Sequence, residues 1–345
     1  MKLLWFSFVQ FYLTVGFKFY YKKIDVIYKE KIPKDKAIIF LSNHQNALLD
    51  PLLVSTSSTR KNYFLTRAAV FKNSTVAKLL NSLQMLPVYR IRDGYQNLKK
   101  NDFTFKKCYE ILGNGDFMLM FSEGGHHNEY YLKNLSKGSS RLAFNAHKEN
   151  PTKKIYLQPV GINYGHHQQP QCSLHLVFGS PIEIGESYDV KLTDAENINK
   201  IRKELQNRMK ECLWLPENTE NYQIQKQKIN RETTDLEFDQ LKASLNTSFN
   251  KLPNRKKKSS LIHFLAIALS LPNLIPLWIT RKVIGKFKDI VFTSSMKYSL
   301  GLFLFPIWWL GTAIPIAYGY GNSTMTTYLL VSILSLFIRQ RILLS

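Results

Sequence analysis

Apolar positions along the chain change their spacing twice. From Ile24 to about Tyr188, short apolar runs alternate with stretches of helical period. The runs Ala37–Leu41, Asn62–Thr66, Met85–Tyr89, Phe117–Phe121, Ile155–Ile162 and Leu174–Phe178 have the length and composition of buried strands. Pro51–Thr56, Thr75–Leu83, Phe103–Leu112 and Gly138–Ala146 are the helical stretches between them. This alternation predicts an α/β domain, a largely parallel central sheet flanked by helices. Ligand sites in such sheets lie beyond the carboxyl ends of the strands. Thr193-Asp194-Ala195-Glu196 then opens a helix of about twenty residues that ends near Pro216. From Glu217 to Asn254 the composition turns polar, as in a helical arm or linker, and Arg255-Lys256-Lys257-Lys258 closes it.

Both ends of the chain are different in kind. Residues 2–21 are dense in aromatics, among them Trp5, Phe6, Phe8, Phe11 and Tyr12, and run into Lys22-Lys23. The apolar part is short for a span and no small-residue cleavage site follows it, so an interfacial helix is expected, with a core-packing helix as the alternative. After Ser260 the chain is mostly apolar. Leu261–Thr280 is long enough to span. Pro272 and Pro276 interrupt it and basic residues flank both ends, a pattern of a kinked re-entrant or interfacial segment. Tyr298–Tyr318 and Met325–Ile338 follow, joined by the uncharged turn Gly319-Tyr320-Gly321-Asn322-Ser323, with Lys297 before them and Arg339 and Arg341 after. That charge layout predicts a hairpin with both ends cytoplasmic, its arms spanning the bilayer or dipping into one leaflet. The chain thus divides into an interfacial helix (1–23), an α/β domain (24–190), a helical arm and basic linker (191–260) and a hydrophobic membrane-associated region (261–345).

Charge narrows the partners. The net charge of +22 over 345 residues calls for an anionic surface. The apolar C-terminus favours anionic membrane lipid over nucleic acid, for which the chain holds no zinc-ligand cluster or base-stacking motif. Cys108, Cys172 and Cys212 are odd in number and widely spaced. They suggest neither a disulfide framework nor a metal site, and fit buried apolar roles in a reducing compartment. No metal or bound cofactor is indicated.

The candidate chemistry collects at strand ends. Ser42-Asn43-His44-Gln45-Asn46-Ala47-Leu48-Leu49-Asp50-Pro51 follows the first strand, with Asp50-Pro51 in the pattern of a helix cap and first residue. His44 and Asp50 could be a base and its orienter, or a satisfied loop histidine and an ordinary cap. Neither a five- nor a six-position step puts two residues on one helical face, so His44 must lie in the turn and fold back onto Asp50. Met118–Phe121 leads into Ser122-Glu123-Gly124-Gly125-His126-His127, a glutamate on a glycine turn. Lys137-Gly138 opens a helix, a setting suited to phosphate. Leu86-Pro87-Val88-Tyr89-Arg90-Ile91-Arg92 ends a strand in two arginines, whose forks bind phosphate bidentately. Leu157-Gln158-Pro159-Val160 is a strand broken by proline.

In this order the four blocks resemble those of the glycerolipid acyltransferase family, the glycerol-3-phosphate and lysophosphatidate acyltransferases, over roughly residues 24–184. The six-position step from His44 to Asp50, the Gly124-Gly125-His126-His127 run and the later Leu135-Ser136-Lys137-Gly138 resemble the membrane-bound glycerol-3-phosphate/dihydroxyacetone-phosphate branch. Ser122 stands where the family usually has proline. The resemblance implies the family's α/β fold with membrane-embedded C-terminal helices. It also implies acyl transfer from an acyl-CoA or acyl carrier protein thioester to a hydroxyl of glycerol-3-phosphate or dihydroxyacetone phosphate, in phospholipid synthesis. His44 would be the general base and Asp50 its orienter. Arg90 would hold the acceptor phosphate, with Arg92 and Lys137 as helpers. Glu123 and Gly124 would shape the acceptor site, and His127 falls where the branch has its histidine. A 1-acylglycerol-3-phosphate acceptor, an acceptor without phosphate and a non-catalytic lipid-binding scaffold are the rival readings.

Overall fold

The computed structural model describes residues 2–33, 36–58, 61–89, 94, 96, 99–245, 259–287 and 289–344. Helix α1 (Lys2–Tyr20) leads into β1 (Ile24–Tyr28) and β2 (Ala37–Ser42). Then follow α2 (Leu49–Ser57), β3 (Asn62–Arg67), α3 (Ser74–Ser82), β4 (Met85–Val88), α4 (Asn101–Gly113) and β5 (Phe117–Phe121). The α/β domain closes with α5 (Lys137–Glu149), β6 (Ile155–Tyr164), β7 (Leu174–Phe178), the two-residue β8 (Ile182–Glu183) and α6 (Asp194–Glu211). The strands form one sheet in the order β1-β7-β6-β2-β5-β3-β4, with β8 also on β6. All pairs are parallel except β6 with β7 and β8.

The period of two sorts the core into two layers. On β2, Ile39 and Leu41 point to the face covered by α4, α5 and α6, where they meet Ile111, Leu142, Ala143 and Ile201. Ile38 and Phe40 point to the other face, against Leu49, Leu53 and Val54 of α2 and Phe17 of α1. All six β2 residues are buried, which is why the strand reads as a continuous apolar run. The Thr193 side chain and Glu196 form a reciprocal capping box that starts α6.

Residues 217–245 do not form a free arm. Helices α7 (Tyr222–Lys228) and α8 (Phe238–Ser244) bury Tyr222, Phe238 and Leu241 against Val177 of β7 and Trp214. Each short helix has only one or two apolar anchors, which is too few to produce a visible period. The basic run 255–258 lies outside the described residues.

Helices α9 (Ser260–Ala268) and α10 (Leu274–Lys286) are bent by 55° where Pro272 falls, as the proline pattern predicted. Helix α11 (Thr293–Leu344) is interrupted at Gly321, whose φ of 84° and ψ of 166° are not helical. The Thr312 and Tyr328 hydroxyls are hydrogen-bonded at 2.5 Å across this break, so residues 293–320 and 322–344 fold back as a hairpin. Asn273 ties the bend of α9–α10 to both arms, donating to the Ser332 carbonyl at 2.9 Å and accepting from Trp309 Nε1 at 2.8 Å. The segment is long and apolar enough to cross a membrane, and only 11% of its most apolar window is buried in the protein, unlike the core helix of a soluble fold. Phe303, Ile307, Leu310 and Ile314 of the first arm, and Trp5, Phe8 and Phe11 of α1, are exposed. Other aromatics of α1 pack inward: Phe17 stacks on Tyr298 at 4.8 Å.

Candidate active site

Parallel pairing brings the chemistry together. Ser42 at the end of β2 pairs with Phe121 at the end of β5 and with Val160 of β6. The loops that follow β2 and β5 therefore leave the same edge side by side, and β6 runs on past them to Tyr164.

His44 lies in the turn after β2, outside α2. Its Nδ1 is 2.9 Å from Asp50 Oδ2. The same Oδ2 accepts the backbone N–H of Gln45 at 2.7 Å and of Asn46 at 2.8 Å, and Oδ1 accepts the Tyr164 hydroxyl at 2.6 Å. The Asp50 side chain has no solvent exposure. Every neighbour donates to it, so Nδ1 of His44 is the protonated nitrogen and Nε2 carries the lone pair. Phe121 stacks on the imidazole at 3.9 Å and 14°, fixing the ring plane. Among the described residues no hydrogen-bond partner reaches Nε2, and the side chain is 11% exposed. This is a base presented at a surface with its tautomer set from behind.

One detail departs from the expected cap. Helix α2 begins at Leu49, with Leu48 in the cap position and no side-chain cap bond, so Asp50 sits within the first turn. Its carboxylate turns back because the turn at Gln45 and Asn46 leaves two backbone N–H groups without helix or sheet partners.

The Glu123 loop is locked to His44. Glu123 Oε1 accepts the backbone N–H of His44 at 3.0 Å and Oε2 meets His127 Nε2 at 2.6 Å. His127 Nδ1 accepts the Glu129 N–H at 3.2 Å, so Nε2 is its donor. The His127 N–H in turn donates to the His44 carbonyl at 3.1 Å. The Glu123 side chain is fully buried, with both oxygens occupied inside the protein. Gly124 has φ of +72° and open space where a Cβ would stand, so glycine serves the backbone conformation there. Ser122, in place of the usual proline, is buried and shares a 2.7 Å hydrogen bond with Ser139 of α5. Ser136 N–H donates to the Ser122 carbonyl at 2.7 Å. Lys137 is exposed at the start of α5. Arg90 and Arg92 lie outside the described residues.

Several supports had no motif to betray them. Tyr164 lies two residues past the expected end of β6. The Asn43 side chain bridges to Ile162, accepting its N–H at 2.8 Å and donating to its carbonyl at 2.9 Å. The His167 carbonyl accepts Asn46 Nδ2 at 2.9 Å and the Ser294 hydroxyl at 2.7 Å. Ser295 Oγ accepts the Leu48 N–H at 3.0 Å. The first turn of the hairpin thus grips the loop that carries His44.

Residues 23–163 match the family model described as Acyltransferase. Glycerol-3-phosphate O-acyltransferase 2 of Saccharomyces cerevisiae is 28% identical over 109 residues, 31% of this chain and 15% of that protein. Glycerol-3-phosphate O-acyltransferase 1 of the same yeast is 28% identical over 102 residues, 30% of this chain and 13% of that protein. The alignments therefore span less than a sixth of either relative's length. The crystal structure of the 1-acyl-sn-glycerophosphate (LPA) acyltransferase PlsC from Thermotoga maritima is similar with a TM-score of 0.45 and 18% identity, over 60% of this chain and 78% of that one. Residues 23–163, with the His44–Asp50 and Glu123–Gly124 blocks inside them, thus match the Acyltransferase family model and are similar to glycerolipid acyltransferases.

Proposed function

We propose that the protein transfers a fatty acyl group from an acyl-CoA or acyl carrier protein thioester to the hydroxyl of glycerol-3-phosphate or dihydroxyacetone phosphate. The observation that carries this is the His44–Asp50 pair: Nδ1 held at 2.9 Å by a buried carboxylate, Nε2 open. The names of the two yeast relatives support the acceptor.

In this reading Nε2 of His44 takes the proton of the acceptor hydroxyl as that oxygen attacks the thioester carbonyl. The tetrahedral intermediate collapses by breaking the carbon–sulfur bond, and the imidazolium returns the proton to the departing thiolate. Asp50 stabilises the imidazolium and keeps the tautomer. No residue is acylated. Glu123 and His127 act as positioning residues, holding the His44 backbone from the β5 side, while Gly124 lets the turn present its backbone to the acceptor. Lys137 at a helix N-terminus, with Arg90 and Arg92 after β4, supplies the cations for the acceptor phosphate. The exposed apolar faces of α1 and the hairpin seat the strand ends on the membrane. Basic residues at both hairpin ends put the catalytic domain on the cytoplasmic side, against anionic headgroups.

Product analysis tests this reading: purified full chain, a long-chain acyl thioester, and each acceptor in turn. Acylation of glycerol-3-phosphate or dihydroxyacetone phosphate is the expected result. Turnover of 1-acylglycerol-3-phosphate alone would reassign the chain to the second acylation step. Turnover of none, with lipid still bound, would leave a lipid-binding scaffold.

A further inference from the structure

A cavity of about 820 Å³ lies outside the catalytic loop, between α1, α10 and the two arms of the hairpin. None of His44, Asp50, Glu123 or His127 lines it. Its charge is one-sided: Arg281, Lys297 and Arg339 line it and no aspartate or glutamate does. Asp289 is the sole acidic residue after Ser260.

The cavity also has a direction. Lys297 and Arg339 stand at the end of the hairpin remote from the Gly321 break, beside the α/β domain, where Lys297 Nζ donates to the Gln168 carbonyl at 3.0 Å. Leu302, Phe305 and Trp309 line it successively nearer the break, about 1.5 Å of rise per residue. Arg339 Nε donates to Ser270 Oγ at 2.6 Å, which leaves its two terminal NH₂ groups to offer. Lys297 likewise keeps two of its three N–H donors. One end therefore asks for an anion with several acceptor oxygens, and the other for a hydrocarbon chain. A free anion would fill only the mouth. A zwitterionic lipid would bring a cation for which the cavity lining offers no carboxylate.

We propose that this cavity binds an anionic phospholipid of the bilayer, its phosphate on Lys297, Arg339 and Arg281 and an acyl chain along Leu302 to Trp309, at a site separate from His44. The proposal is independent of the acceptor assigned above. Its occupant would brace the catalytic loop from behind. Tyr20 in the cavity wall precedes Tyr21, which stacks on Tyr164, the donor to Asp50. Ser294 and Ser295, which hold the His167 carbonyl and the Leu48 N–H, lie within one turn of Lys297.

The test uses the full chain in phosphatidylcholine nanodiscs doped with photoreactive phosphatidylglycerol or photoreactive phosphatidylcholine. Labelled peptides from α1, α10 and the hairpin are read by mass spectrometry. The anionic probe should label these peptides about fivefold or more above the zwitterionic one. Lys297→Gln with Arg339→Gln should bring that ratio close to one. Gly301→Phe should remove labelling by both probes. A Cβ on Gly301 meets nothing within 4 Å, so this variant fills space, and its melting temperature checks the fold. Equal labelling of wild type by the two probes, or a ratio that survives the double substitution, overturns the proposal. So does loss of label in millimolar inorganic phosphate, which would make it a simple anion site. Loss of label at the acyl-CoA concentration that saturates turnover overturns it too, because the cavity would then be the donor's.

Discussion

The Tyr164 hydroxyl donates to Asp50 Oδ1 at 2.6 Å, joining the end of β6 to the first turn of α2 beneath His44. Both side chains are buried. Tyr164→Phe removes the donor and leaves Oδ1 without it, a loss of about 1–3 kcal/mol. Lower thermal stability and lower kcat are expected, with KM for the acceptor little changed. An unaltered melting temperature would mean the contact does not support the dyad.

Asp50→Asn keeps the shape but removes the charge. The amide oxygen takes the place of Oδ2, where it accepts from Gln45, Asn46 and His44 Nδ1, and its NH₂ then faces the Tyr164 hydroxyl, which can turn to accept. The tautomer is kept, and what is lost is the carboxylate that stabilises the imidazolium. A fall in kcat of about tenfold or more is expected, larger than the effect on KM. His44→Ala should cost at least ~10². Near-normal turnover of the folded His44→Ala variant would remove His44 from the mechanism.

Much of this site could be foreseen and some could not, for identifiable reasons. Strands buried on both faces, such as β2 and β5, show as unbroken apolar runs. The edge strand β1 holds Asp25 and the exposed Val26 and Tyr28, so it escapes notice. The uncharged glycine turn at Gly321 marks the hairpin because glycine is what the positive φ needs. Asp50-Pro51 has the local signature of a cap, yet the carboxylate answers to the loop before it, which no local pattern encodes. Tyr164 and Ser294 reach the site through the sheet and the hairpin, from sequence separations of more than a hundred residues. Such partners become visible only once topology is known.

Glu123 and His127 should behave as a coupled pair. Glu123→Gln turns an NH₂ group toward either the His44 N–H or His127 Nε2–H. His127 cannot move its proton to accept, because Nδ1 already accepts from Glu129. Two donors then face each other in a buried site. Destabilisation of about 1–3 kcal/mol is expected. A double-mutant cycle with His127→Ala should return a coupling energy of about 0.5–3 kcal/mol. Strict additivity would show that the contact at 2.6 Å contributes nothing of its own.

The cysteines should be silent. Burial pushes the thiols of Cys108 and Cys212 up to about 12 and that of Cys172 to about 11, the last against the opposing pull of Arg231. Thiolate is thus scarce at neutral pH and shielded. Treatment of the folded protein with an alkylating reagent should leave activity intact, with labelling appearing only on unfolding. Rapid inactivation would place a thiol in the reaction and contradict direct transfer.

Acid should loosen the protein through His167. Burial lowers its pKa to about 3, and His166, His127 and Lys226 add to the effect while Glu129 opposes it. Its Nε2 meets Asn128 Oδ1 at 2.5 Å, and Nδ1 is buried with no acceptor beside it, so a second proton has nowhere to go. Between the unfolded value near 6.5 and the folded value near 3, the unfolded chain binds one proton more than the folded one. Stability therefore falls as the pH drops through this window, by about 2 kcal/mol at pH 5 from this group alone. The His167 carbonyl holds Asn46 and Ser294, so the loosening would be felt at the His44 loop and at the hairpin together. Melting temperatures at pH 7 and pH 5 should converge in His167→Gln relative to wild type. If the variant lost as much stability as wild type between those two values, another group would carry the acid response.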